Sequence, residues 1–267
     1  MTTQTQTQPH SPSRRATDPP PPVRPDLAWR RLLDQATAPY RSAGRFAWHF
    51  ARGKLGRDPV FRHLLESGLI RSAARILDIG CGQALLAHLV PAAQQAARAG
   101  QWPAEWAAAP GLAHYTGVEL MPRDVARAQA ALTGRHDVQV LCGDMRELAF
   151  PACDTVVILD VLHYVDIAAQ DAVLARVHQA LTPGGVLLLR IGDADRRSGF
   201  VASQWVDRLV TWTRGHRVPP TWGRPLRDWL HLLARLGFVA EARPMSQGTP
   251  FANVLLVARK PAEDPST

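Results

Sequence analysis

The sequence predicts an α/β protein: a doubly wound, mostly parallel seven-stranded sheet, with a helical cover before it and a small insert after the fifth strand. Three observations carry that prediction. Short apolar runs alternate with helical patterns between residues 75 and 191, and βαβ alternation implies a parallel sheet covered on both faces. The first run, Ile76, Leu77 and Ile79, passes at once into Gly80 and Gly82 and then into a helix, a tight strand–turn–helix corner. The last two runs, at about 238–243 and 253–258, have no convincing helix between them.

Each element has its own signal. Residues 27–69 read as helices: apolar positions recur at Leu32, Leu33 and Ala36, then at Phe46, Ala47, Phe50 and Ala51, and Asp58-Pro59 starts a further helix. Strand one is about 75–79. The helix behind it carries Leu85, Leu86, Leu89 and Val90, with Pro91 expected to kink or interrupt it. Residues 100–113 hold Trp102, Pro103, Trp106 and Pro110 and read as an insertion. Strand two is about 114–118, followed by a helix from Pro122 to Ala131; strand three is 138–141, and strand four is 155–159, bounded by Asp154 and Asp160. A helix over 168–181 leads to the turn Thr182-Pro183-Gly184-Gly185 and to strand five, 186–191. Helical stretches at about 199–213 and 225–236 precede the last two strands.

Composition narrows the class. A chain of 267 residues suits one large α/β domain, expected at 25–260 with the cover at 27–69 and the insert at 195–223. Residues 1–24 are rich in Thr, Gln, Ser and Pro, lack the apolar segment of a secretory signal, and read as a disordered leader; 261–267 read as a loose tail. No apolar stretch reaches the roughly 20 residues of a membrane span. Cys81, Cys142 and Cys153 are too scattered for a disulfide framework and form no C-x-x-C pair, so buried thiols in a reducing cytoplasm are expected. The net charge of +8 is nearly all arginine, and no long basic run alternates with aromatics; solvated surface charge is the preferred reading over nucleic-acid binding.

The chemistry concentrates at the glycine corner. A nicotinamide or flavin fingerprint needs G-x-G-x-x-G, and its third glycine position here is Leu85. Asp78, two residues before the first glycine, suits a ligand with a cationic amine beside its carboxylate. At these residues the chain resembles the class I S-adenosylmethionine-dependent methyltransferases, whose first motif is D-x-G-x-G-x-G. Asp78-Ile79-Gly80-Cys81-Gly82-Gln83-Ala84 matches it, with Ala84 in place of the last glycine. The resemblance implies a Rossmann-like methyltransferase fold, S-adenosylmethionine as cofactor, and antiparallel pairing of the two end strands.

In open α/β sheets ligands bind beyond the carboxyl ends of the strands. The resemblance therefore gives a cofactor-binding set of Asp78, Gly80, Cys81, Gly82, Glu119, Leu120, Asp144, Met145 and Asp160. Glu119 would accept from both ribose hydroxyls, although a surface acid at a helix start is its bland alternative. Asp144 would accept from the adenine amino group, with Met145 beside the ring and Leu120 or Met121 on its other face; otherwise Asp144 caps a turn before Glu147. Asp160 would contact the cofactor amine or orient His163. His163 is the catalytic candidate, a general base needed only if the acceptor must lose a proton, and packing is its alternative. Tyr40, Tyr164 and His216 read as structural.

Residues 160–164 do not match the Asn/Asp-Pro-Pro-aromatic motif of nucleic-acid amino methyltransferases, and no convincing carboxylate cluster calls for a metal, with Asp160 and Asp193 as the one pair that leaves it open. A small-molecule or carrier-bound acceptor remains, with O-methylation slightly ahead of C-methylation. An RNA methyltransferase, or a cofactor-binding partner protein without turnover, are the alternatives. Phe200, Trp205, Trp212 and Trp222 would enclose the acceptor or form core.

Overall fold

The computed structural model describes residues 23–192, 222–245 and 253–262. The leader up to residue 22, the helix expected at 199–213, His216, Phe200, Trp205, Trp212 and the end of the tail lie outside the described residues.

The N-terminal cover comprises α1 (Pro25–Thr37), a 3₁₀ turn (Ala38–Arg41), α2 (Arg45–Arg57) and α3 (Pro59–Glu66). There follow β1 (Ala74–Ile79), α4 (Leu86–Arg98), β2 (Leu112–Glu119), α5 (Pro122–Ala131), β3 (Val138–Cys142) and β4 (Cys153–Leu159). A 3₁₀ turn (Leu162–Tyr164), α6 (Ile167–Ala180), β5 (Leu181–Gly192), α7 (Leu226–Arg235), β6 (Val239–Pro244) and β7 (Asn253–Arg259) complete the described chain.

One seven-stranded sheet has the order β3-β2-β1-β4-β5-β7-β6. β1 to β5 pair in parallel, and β7 runs antiparallel to both β5 and β6, so the expected end hairpin is present. Strand residues alternate between two cores, as the period of two requires. Ile76, Tyr115, Val157 and Leu188 face α4 and the cover, while Leu77, Val156, Ile158 and Leu189 face α6 and α7. Strand order reverses between the adjacent β1 and β4, and their carboxyl ends open a crevice there.

Local chemistry explains several boundaries. Asp58 caps α3 by accepting from the Val60 N–H at 3.2 Å, and Asp166 caps α6 by accepting from Ala169 N–H at 2.8 Å. Pro91 lies inside α4, which continues through it, so of the expected kink or interruption the interruption does not occur. Proline cannot bond the carbonyl four residues back. Here the Arg135 guanidinium donates to that Ala87 carbonyl at 3.1 Å and takes the place of the missing N–H. The Thr182–Gly185 segment is also not a separate turn before strand five. It lies within β5, whose pairing with β4 shifts register between Cys153 and Thr155 to absorb it.

Residues 100–111 form a connection folded on α3. Trp102 and Trp106 pack edge-on with centroids 4.9 Å apart, and Ala107 N–H donates to the Glu66 carbonyl.

Candidate functional site

The crevice is built around the β1–α4 loop. Gly80 has φ 72°, and a Cβ there would lie 2.4 Å from Val161 Cγ1, so the segment after β4 rests directly on glycine backbone. The Gly80 and Cys81 N–H groups donate to the Val118 carbonyl of β2 at 2.8 and 3.1 Å. Gly82 and Ala84 follow at φ 56° and 58°, so Ala84 holds the left-handed backbone that glycine adopts at no cost. Burial, with the charges of Asp78 and Glu119, pushes the half-buried Cys81 thiol well up.

The three acids sit at the ends of β1, β2 and β3. Asp78 is 6% exposed, and its Oδ2 accepts from the Tyr115 hydroxyl at 2.7 Å. Burial raises its carboxyl to about 7; the Tyr115 bond opposes the shift and the Glu119 charge adds to it. Glu119 is held by backbone alone: Oε2 accepts from Gly82 N–H at 2.9 Å and Oε1 from Met121 N–H at 2.8 Å. Burial raises its carboxyl too, against the backbone N–H groups of Met121, Gly82 and Leu120. Each oxygen keeps further acceptor capacity. Asp144 is clasped by Arg146, whose backbone N–H and guanidinium donate at 2.6–3.0 Å and hold the carboxyl low. Leu120 is exposed and Met145 half-buried, beside β2 and β3. Arg176 of α6 gathers the Met145 and Arg146 carbonyls at 2.9 Å and so shapes the loop after Asp144.

Asp160 leaves β4 with φ 59°, a conformation unusual for a residue with a side chain. Its carboxylate accepts from the Arg190 guanidinium of β5. Arg190 is 3% exposed and also forks onto Asp58 of the cover at 2.5 and 2.7 Å, with Lys54 joining Asp58 at 2.8 Å. Burial pushes the Asp58 carboxyl up, but Arg190 and Lys54 outweigh it and hold it well below the usual range. Burial likewise opposes the Arg190 charge, and the two carboxylates overcome it.

His163 sits in the 3₁₀ turn after β4, its ring 4.1 Å from that of Tyr164, and its carbonyl accepts from Trp222 N–H at 2.8 Å. Gln170 of α6, fully buried, donates to the Leu162, Val165 and Trp222 carbonyls at 2.9–3.1 Å and accepts from Arg224 Nε at 2.7 Å. The far end of the segment after β5 is thereby tied to the turn that carries His163. Sequence reasoning missed Tyr115, Arg176, Gln170, Arg190 and Asp58 as organisers. Among them only a polar residue inside an apolar strand, such as Arg190, leaves any trace in the sequence. Among the described residues no three His, Cys, Asp or Glu side chains gather to hold a metal ion, and no helix is long and apolar enough to cross a membrane.

The residues fit S-adenosylmethionine. Asp78 is a buried carboxylate at the crevice whose raised pKa calls for a cation, Glu119 retains acceptor sites, and the space a Cβ at Gly82 would take is open. Comparison with known proteins agrees. A family model described as a methyltransferase domain matches residues 77–189, from β1 through β5. Residues 77–189 therefore carry a methyltransferase domain of the kind found in the class I S-adenosylmethionine-dependent methyltransferases. It is 38% identical over 82 residues to a carboxy-S-adenosyl-L-methionine synthase of Dichelobacter nodosus, covering 30% of this chain and 35% of that protein. It is 31% identical over 134 residues to the tetracenomycin polyketide synthesis 8-O-methyl transferase TcmO of Streptomyces glaucescens, covering 49% and 37%. The chain thus spans about a third of the length of these curated relatives. Its fold matches human N-acetylserotonin methyltransferase in complex with SAM at a TM-score of 0.55 and 17% identity, covering 86% of this chain and 59% of that one.

Proposed function

We propose that the chain binds S-adenosylmethionine along the carboxyl ends of β1, β2 and β3 and transfers its methyl group to a small-molecule or carrier-bound organic acceptor. The observation that carries the reading is the order of the acids: Asp78, Glu119 and Asp144 end three adjacent parallel strands beside a left-handed glycine loop. Asp78 would take the methionyl ammonium, Glu119 the ribose hydroxyls, and Asp144 the adenine amino group, once Arg146 shares or yields the carboxylate. Gly80, Cys81 and Gly82 would line the methionyl end, with Leu120 and Met145 beside the adenine. Asp160, being engaged by Arg190, would shape the methionyl corner more than bind the amine itself.

When bound, the cofactor supplies an electrophilic methyl group on a sulfonium sulfur. The protein's own task is to hold the acceptor in line, which is a large effect by itself. His163 would accept the acceptor's proton if one must leave. The likeness to TcmO supports oxygen as the acceptor atom. Residues 27–69 would enclose the acceptor on one side, and Trp222 returns the chain beside His163; the rest of the insert expected at 195–223 lies outside the described residues.

Glu119→Ala removes an acceptor of two charge-assisted bonds, each on the order of 1.5–3 kcal/mol before water compensates. Calorimetry with S-adenosylmethionine should show affinity weakened at least about tenfold with the fold intact. Unchanged affinity would remove Glu119 from the site. Incubation with methyl-labelled cofactor and separated extracts should place label in small organic molecules; label in RNA, or in nothing, would overturn the acceptor class.

A further inference from the structure

We propose that Tyr40, on the N-terminal cover, is a positioning residue of the cofactor loop: its hydroxyl holds the Gln83 and Ala84 carbonyls and so keeps Ala84 in its left-handed backbone. The inference rests on the cofactor reading above and names what orders that loop. Tyr40 is fully buried in the 3₁₀ turn Ala38–Arg41, and its O–H points at two successive carbonyls, Gln83 at 2.8 Å and Ala84 at 3.1 Å. Its ring meets His88 of α4 edge-on at 5.3 Å, which fixes the direction of the hydroxyl. Gln83 and Ala84 are buried as well, so water cannot readily replace the bond.

The loop needs such a strap because of Ala84. Gly80, Gly82 and Ala84 all have positive φ, but only Ala84 has a Cβ to crowd its own carbonyl there. Its neighbours record the consequence of keeping it so: Ala84 N–H donates to the Cys81 carbonyl at 2.9 Å, and its carbonyl accepts from Ala87 N–H at 3.1 Å at the start of α4. A relaxed Ala84 would turn both peptide planes and break this junction between loop and helix. Glycine at 84 would hold the conformation unaided. Tyr40 therefore supplies from the cover what the loop lacks in its own sequence. A loop that is correctly folded only part of the time binds more weakly by that fraction, so the strap is read in cofactor affinity and not only in stability.

The test is a pair of substitutions in the full chain, with S-adenosylhomocysteine as the calorimetric probe and thermal denaturation on every variant. Tyr40→Phe keeps the ring and removes the hydroxyl, and should weaken binding by about threefold to tenfold. Ala84→Gly alone should bind within about twofold of the unaltered chain, because glycine meets no strain at that φ. The double variant should return to within about twofold as well, even with a melting temperature below that of the unaltered chain. A purely structural tyrosine would lower stability in both backgrounds and leave affinity alone. Unchanged affinity in Tyr40→Phe, or a double variant as weak as Tyr40→Phe, overturns the inference. Should Tyr40→Phe not fold, a folded double variant decides it: binding like Ala84→Gly supports the strap, and binding several-fold weaker refutes it. Failure of the unaltered chain itself to bind overturns the cofactor reading and the strap with it, an outcome told apart by the control.

Discussion

Burial raises the Asp78 carboxyl to about 7 from the usual 3.8, a shift worth on the order of 4 kcal/mol between its two protonation states. The sign follows from the folded value lying above the unfolded one. The native chain holds this proton more tightly, so the contribution to stability is complete below pH ~4 and is lost as pH rises through about 7. A cofactor ammonium beside Asp78 would lower that pKa again. Binding near pH 6 should then release close to one proton, and affinity should rise with pH until about 7. Calorimetry at pH 6 in two buffers of different ionisation enthalpy measures the release; a buffer-independent heat would exclude Asp78 as the partner of a cation. At this scale the sequence reading located the acids at strand ends, because strand, glycine and acid are adjacent in the chain. It did not locate their partners. Tyr115 lies 37 positions from Asp78, and Arg146 competes for Asp144 through a side-chain conformation that no spacing reveals.

Element boundaries followed the apolar periodicity closely wherever a run was bracketed by glycine, proline or acid, as with α5, which spans Pro122–Ala131 as expected. Two elements departed from expectation, each through a remote or cross-strand partner. β5 starts at Leu181 because Leu181 itself pairs with Cys153 of β4, and the Thr182–Gly185 segment is carried as a bulge across the register shift before pairing resumes at Val186. α4 passes through Pro91 because Arg135, 48 positions from Ala87, caps the carbonyl that proline leaves vacant. The second case yields a prediction. Arg135→Ala should cost about 1–2 kcal/mol by stranding the Ala87 carbonyl and losing the Asp137 pair. Pro91→Ala should recover part of that cost in the Arg135→Ala background, by restoring an N–H to the helix, and recover less of the stability when Arg135 is present. Urea denaturation of the four chains measures the coupling; strictly additive effects would show that Arg135 does not stand in for the missing donor.

Across the molecule, the cover is joined to the sheet by a buried charge relay whose members are far apart in sequence: Asp58 and Arg190 are separated by 132 positions, Arg190 and Asp160 by 30. Periodicity marked residues 27–69 as helices, and the resemblance made them a cover, but the tie that seats them was invisible, since Arg190 reads only as a charge inside an apolar strand. The tie has a function-bearing end, because Asp160 directs the chain into Val161, which rests on Gly80, and into the turn carrying His163. Arg190→Met removes the cation and leaves Asp58 and Asp160 facing a buried apolar side chain, which should cost about 3–5 kcal/mol at pH 7. Acid should narrow the deficit. In the unaltered chain Asp58 has a depressed pKa, so its stabilisation is present above the unfolded value near 3.8 and is lost as pH falls toward the depressed one. In Arg190→Met the stranded carboxylates should have raised pKa values and be relieved by protonation at higher pH, before the unaltered chain begins to lose the Asp58 contribution. Urea midpoints for both chains at pH 7 and pH 4.5 should therefore converge. Parallel losses at the two pH values would mean that packing around Arg190, and not its charge, seats the cover on the site.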